Sequence, residues 1–265
     1  MKLSSIIFRD AAISYTIYGE GKAVVLIHGF AEDSKIWDHP VSYLQDKYKL
    51  IVPDLPGSGR STMITEPAVS LGVYADCIKE ILKAESIDQC TMIGHSMGGY
   101  ITLAFAAKYP GMLEAFGLFH SSAYADDAAK IETRKKAIQF IQANGAEAFL
   151  KTMIPGLFYD KDNAAVINAV IENGKSFSKE ALIQYYEAMI ARPDRTQVLR
   201  DATVPVLFIM GQHDKAVPFE HSLEQSHLPA HAYIHILRHS AHMGMLEETD
   251  EVNKTLANFL HGRES

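Results

Sequence analysis

Gly94-His95-Ser96-Met97-Gly98-Gly99 is the stretch on which the reading of this chain turns. It matches the pattern G-x-S-x-G. A short apolar run, Cys90–Ile93, precedes it and reads as a buried strand. Met97–Lys108 follows and reads as a helix that stops at Tyr109-Pro110-Gly111. A serine on so tight a strand-to-helix turn sits in a strained backbone conformation, with its hydroxyl presented above the sheet. Gly94 and Gly98 flank it where strand and helix pass too close for a Cβ atom. Composition alone predicts roughly 0.07 matches by chance, so the strand–turn–helix context supplies most of the force. The alternatives are a packed Gly-rich turn and an anion cradle at a helix N-terminus.

Working outward, short β-rich runs alternate with amphipathic helical runs. Leu3–Phe8 and Ala12–Tyr18, turning at Arg9-Asp10, read as a hairpin. Ala23–Ile27, Lys49–Val52, Leu113–Phe119, Val206–Met210 and Ala232–Leu237 read as further strands. Leu71–Ala84, Phe219–Ser226 and Glu248–Leu260 carry helical spacing. The rhythm changes between Ala123 and Arg195, where no strand is expected. Helical runs there are separated by Asn144-Gly145, Pro155-Gly156, Asn173-Gly174 and Pro193. The expectation is an α/β fold with a mostly parallel eight-stranded sheet, helices on both faces and a helical cap inserted after the sixth strand. Residues 1–122 and 196–265 would form the core, and residues 123–195 the cap.

Composition narrows the class. Hydrophobic residues make up 48% and charged residues 22% of the 265, which excludes disorder. A net charge of −7 is a poor electrostatic start for nucleic acid or an anionic membrane face, so neither is an expected partner. Cys77 and Cys90 are the only cysteines, too few for a disulfide framework. Met1–Arg9 lacks the features of a signal peptide, and no apolar run reaches the roughly 18 residues of a membrane span. These point to a cytoplasmic protein.

Around this motif, the chain resembles the α/β-hydrolase family from Ile13 to Leu260. The other matching stretches are His28-Gly29-Phe30, Asp54-Leu55-Pro56-Gly57-Ser58-Gly59-Arg60-Ser61, Gly211-Gln212-His213-Asp214 and Ser240-Ala241-His242, in the family's order. The fit is to the capped single-domain serine hydrolases. The resemblance implies Ser96 as nucleophile, His242 as general base and Asp214 as the acid that orients it. His239, three residues earlier, is the rival base. The rival acid position after the sixth strand reads Phe119-His120-Ser121-Ser122, without a carboxylate. The alternative role for Asp214 is a turn residue or a helix N-cap. The backbone N–H groups of Phe30 and Met97 would hold the oxyanion, with their side chains lining the pocket.

His95, Met153, Leu157, Phe158 and Met189 are candidate substrate contacts, although a helical stripe of such residues is more often core. Tyr159 belongs to the same set. Arg60 is expected to anchor the Asp54–Ser61 loop by a salt bridge. The charges of Arg192-Pro193-Asp194-Arg195 are expected to pin the cap to the core, with a substrate-carboxylate role as the alternative. His235, His239 and His242 lack the spacing of a metal site, and none is expected. The expected function is hydrolysis of a small to medium carboxylic ester through an acyl-enzyme, on a small-molecule substrate and without a cofactor. Carbon–carbon bond hydrolysis, lactone or thioester hydrolysis and cofactor-free perhydrolysis use the same triad. Met243 and Tyr100 depart from the tryptophan and arginine that mark two of those branches. A ligand sensor with slow or no turnover is the alternative of another class. The oligomeric state stays open.

Overall fold

The computed structural model describes residues 1–262. Eight strands form one sheet: β1 (Lys2–Phe8), β2 (Ala11–Tyr18), β3 (Lys22–Ile27), β4 (Tyr48–Pro53), β5 (Cys90–His95), β6 (Leu113–Phe119), β7 (Val206–Gly211) and β8 (Ala232–Leu237). Their spatial order is β1-β2-β4-β3-β5-β6-β7-β8. Only β2 runs against its neighbours, pairing antiparallel with β1 and β4. From β4 to β8 every pairing is parallel.

The burial of each strand follows from its place. β5 is buried at all six positions because helices cover both faces of the sheet centre, and its sequence is accordingly a continuous run without polar alternation. β1 and β8, at the two edges, are mostly exposed or half-buried. The chain crosses from β4, on one side of β3, to β5 on the other. A crevice therefore opens at the carboxyl ends of β3 and β5, where the loops diverge.

The helices are α1 (Asp38–Leu44), α2 (Leu71–Ala84), α3 (Met97–Lys108), α4 (Ala128–Met153), α5 (Ala164–Gly174), α6 (Lys179–Ile190), α7 (Thr196–Arg200), α8 (Phe219–Gln225), α9 (Gly244–Glu247) and α10 (Thr249–His261). α3 is buried from Met97 through Ala106, which explains why it is apolar on every side. Between β6 and β7 lie only α4 to α7 and a 3-10 turn, Ile154–Leu157. The sequence divides the first of these at Asn144-Gly145. α4 carries that division as a kink, with Gly145 at φ +83° and ψ 169°. No described helix is long and apolar enough to cross a membrane.

The helical segment is fastened to the core by buried polar contacts. Tyr185 Oη donates to Pro56 O at 2.8 Å, and Gln184 Nε2 to Ile64 O at 2.9 Å. The Asp54–Ser61 loop is held mainly from inside. Asp54 accepts the backbone N–H groups of Ser34 (2.9 Å) and Arg60 (3.0 Å). The expected Arg60 salt bridge exists, but at 3.7 Å with a half-exposed guanidinium it contributes little.

Candidate active site

Ser96 sits between β5 and α3 at φ +50° and ψ −115°, a conformation costing on the order of 1–3 kcal/mol. The surroundings enforce it. Ser96 N–H donates to Phe119 O at 2.9 Å, and Ser121 Oγ donates to Ser96 O at 2.7 Å. A Cβ on Gly94 would lie 2.2 Å from the carbonyl of Gly98, and one on Gly98 would lie 2.3 Å from Ile27 O. The expected close passage of strand and helix is thus present on both sides of the serine.

Ser96, His242 and Asp214 come together although 146 and 28 residues separate the successive pairs. His242 Nε2 lies 2.9 Å from Ser96 Oγ, and His242 Nδ1 lies 2.7 Å from Asp214 Oδ2. The carboxylate fixes the tautomer: Nδ1–H donates to Asp214, which leaves Nε2 to accept from the serine hydroxyl. Asp214 also accepts, through Oδ1, the N–H groups of Ala216 (2.8 Å) and Val217 (2.9 Å). The turn reading and the triad reading of Asp214 therefore describe two oxygens of one side chain. Burial opposes its ionisation, but the His242 imidazole and hydrogen bonds from His120 and His242 outweigh that, so its pKa is lowered. His239 is exposed, with its backbone N–H on Glu248, and does not reach the serine.

His120 was not singled out by the sequence. Its Nδ1 lies 3.4 Å from Asp214 Oδ2, and its Nε2 accepts the N–H of Gly244 at 3.2 Å. Nδ1 also faces the N–H of Gly211 at 3.1 Å, so a backbone N–H is aimed at each ring nitrogen, and burial pushes the pKa of the ring down to about 4. Atoms of His120, Asp214 and His242 lie within 4.8 Å of one another, a grouping capable of holding a metal. The Asp214 oxygen in that grouping already accepts from His242 at 2.7 Å.

A second buried pair lies beneath the triad. His95 Nε2 is 2.9 Å from His242 O, and His95 Nδ1 is 2.9 Å from Glu32 Oε2. A carbonyl oxygen only accepts, so Nε2 carries a hydrogen, and a proton must also lie between Nδ1 and Glu32. Burial disfavours charge on both groups. Their mutual attraction outweighs it, raising the pKa of His95 and lowering that of Glu32. The pair is an imidazolium against a carboxylate. Glu32 also accepts Gly29 N–H at 2.6 Å, so one network joins the backbone of His242 to the loop bearing Phe30.

Phe30 follows β3, and Met97 opens α3, where an N–H has no intrahelical acceptor. Neither N–H donates to another described residue. Ser96 and His242 open into a cavity of about 750 Å³ that the side chains of Phe30, Met153, Leu157 and Met189 help to line. Four side chains expected at the cavity do not line it. His95 is fully buried and engaged with Glu32, Phe158 is packed into the core, and the Met97 side chain is fully buried, so none faces the cavity. Tyr159 lies outside it too, half-exposed and stacked on His213 at 4.0 Å. The backbone carbonyl of Leu157, which no sequence pattern marks, accepts the N–H of His242 at 2.8 Å.

A family model described as the α/β hydrolase fold matches residues 22–116. A 2-hydroxy-6-oxo-6-phenylhexa-2,4-dienoate hydrolase of Comamonas testosteroni is 25% identical, over 99% of this chain and 96% of that protein. Among solved structures, a thermophilic esterase from Thermogutta terrifontis superposes with a TM-score of 0.92, at 24% identity over 99% of both chains. The enol-lactonase of Burkholderia xenovorans superposes at 0.90, with 22% identity over 97% of this chain and all of that one. Strand order, a strained serine at the end of the fifth strand and these likenesses lead to one conclusion: the chain has the α/β-hydrolase fold.

Proposed function

We propose that this chain is a serine hydrolase that cleaves carboxylic esters through an acyl-enzyme. The observation that carries this reading is the hydrogen-bonded line from Asp214 through His242 to Ser96, ending in a cavity. Ser96 Oγ bonds to the ester carbonyl carbon while its proton moves to His242 Nε2. Asp214 stabilises the imidazolium. The C–O bond of the tetrahedral intermediate breaks, and His242 returns the proton to the departing alkoxide. Water then repeats the attack, with His242 as base, to release the acid and restore Ser96. The N–H groups of Phe30 and Met97 face the oxyanion; loss of one such donor typically costs about 10²–10³ in rate.

Carbon–carbon or lactone hydrolysis on the same residues is the second reading, favoured by the likeness to the dienoate hydrolase and the enol-lactonase. Residues 123–195 act as the cap over the site. The two buried free thiols, Cys77 and Cys90, support a cytoplasmic location. A panel of short p-nitrophenyl esters, thioesters, lactones and vinylogous diketones tests the assignment. Sustained turnover fastest on the esters is expected. A single burst matching the enzyme concentration, with no steady state, would identify a sensor instead.

A further inference from the structure

The charged lining of the cavity includes two guanidiniums, Arg134 and Arg192, gathered on the carboxylate of Asp126, with Lys130 and Lys215 also on the wall. Arg134 donates to Asp126 through Nε (2.6 Å) and Nη2 (3.4 Å), and Arg192 Nη1 lies 2.9 Å from the same carboxylate. All three side chains are buried, at 12%, 5% and 0% exposure for Arg134, Arg192 and Asp126. Burial opposes ionisation of Asp126, yet the guanidiniums outweigh it and lower its pKa, so the cluster keeps an excess positive charge.

The two arginines differ in what they have left to give. Arg192 spends Nη1 also on Met189 O and Nη2 on Tyr124 O, and its Cζ lies 4.0 Å from the Tyr100 ring centroid. It is a strut. Arg134 offers Asp126 only one edge of its fork, and Nη1 has no partner among the described residues. Its Cζ lies 5.5 Å from the Tyr186 ring, which stacks on Phe30 at 4.3 Å. The free edge of the guanidinium is thus one aromatic ring removed from the oxyanion loop, in the same cavity as Ser96. The other acids on the wall are engaged: Glu32 with His95, Asp127 with Lys130 N–H, and Asp194 with Thr196. A guanidinium edge presented to a partly dry cavity pairs best with a carboxylate.

We infer that Arg134 forms an anion subsite, and that the preferred substrate is an ester bearing a free carboxylate a few carbons from the scissile bond. This rests on the serine-hydrolase reading. The test compares mono-p-nitrophenyl glutarate with p-nitrophenyl pentanoate, which share acyl length and differ in terminal charge. The wild type should favour the anionic ester in kcat/KM by about tenfold to a hundredfold, the usual worth of a charge-assisted hydrogen bond. In Arg134→Gln that ratio should collapse towards one, mainly through KM, and Arg134→Lys should recover part of it. Asp126 keeps Arg192 in these variants, which supports folding. A wild-type ratio near one, or a ratio that Arg134→Gln leaves intact, overturns the subsite. Binding of glutarate against neutral glutaramide to the wild type, at low and high salt, reads the subsite without turnover and without a variant. Glutarate should bind at least about tenfold tighter at low salt. Equal binding overturns the subsite, whereas glutarate preference with no Ser96-dependent hydrolysis overturns the reaction and keeps the subsite.

Discussion

At the scale of single residues, the site makes two sharp demands. Ser96→Ala removes the hydroxyl that attacks and leaves the strained turn in place. Steady-state turnover should fall by at least about 10⁴-fold, with a melting temperature close to that of the wild type. Retained turnover would remove Ser96 from the chemistry. The Glu32–His95 pair makes the other demand. The raised pKa of His95 means its stabilisation is complete below the ordinary 6.5 and is lost as pH climbs through the raised value. The lowered pKa of Glu32 means its stabilisation is complete above the ordinary 4.5 and is lost as pH falls through the lowered value. The pair is therefore worth most between those ordinary values. Glu32→Gln should destabilise the fold by about 3–5 kcal/mol there, and by less well above and below. Urea unfolding at several pH values checks this; a gap that stays constant with pH would contradict the ion pair.

At the scale of elements, legibility followed length and local pattern. Every strand was readable, because apolar runs bounded by Gly and Pro are local signals. The short helices α1, α7 and α9, of seven, five and four residues, were not singled out, although α8, also of seven residues, was. The triad was legible because each member sits in a marked turn after a strand. Glu32 and His120 were not, because their partners lie 63 and 94 residues away and nothing local announces them. His95 and Phe158 were misplaced for a related reason: a sequence gives the loop, but not which way each side chain leaves it. The contact between α6 and the Asp54–Ser61 loop offers a test at this scale. Tyr185→Phe leaves Pro56 O without its donor and should cost about 1 kcal/mol. For a chain of this size that is a fall of about 2–4 °C in melting temperature. No change would mean that this hydrogen bond does not fasten the helical segment.

At the scale of the whole molecule, the sheet order places the ends of β3, β5, β7 and β8 on one side, and with them Phe30, Ser96, Asp214 and His242. Two described serines have an imidazole nitrogen within hydrogen-bonding distance of the hydroxyl, Ser96 and Ser58 beside His28 at 2.8 Å, but Ser58 is buried, donates to Leu55 O and does not line the cavity. A fluorophosphonate should accordingly label Ser96 and no other residue of the intact protein, as read by peptide mapping. Labelling at a second serine would show that activation is not confined to this mouth.

The bond from His242 N–H to the Leu157 carbonyl ties the proposed general base to the segment proposed to roof the site. Raising that roof far enough to admit a bulky guest stretches the tether, and the imidazole loses one of its moorings. Entry and proton abstraction then compete for the same few ångströms of backbone, so solvent that enters with the door ajar meets a less firmly anchored ring.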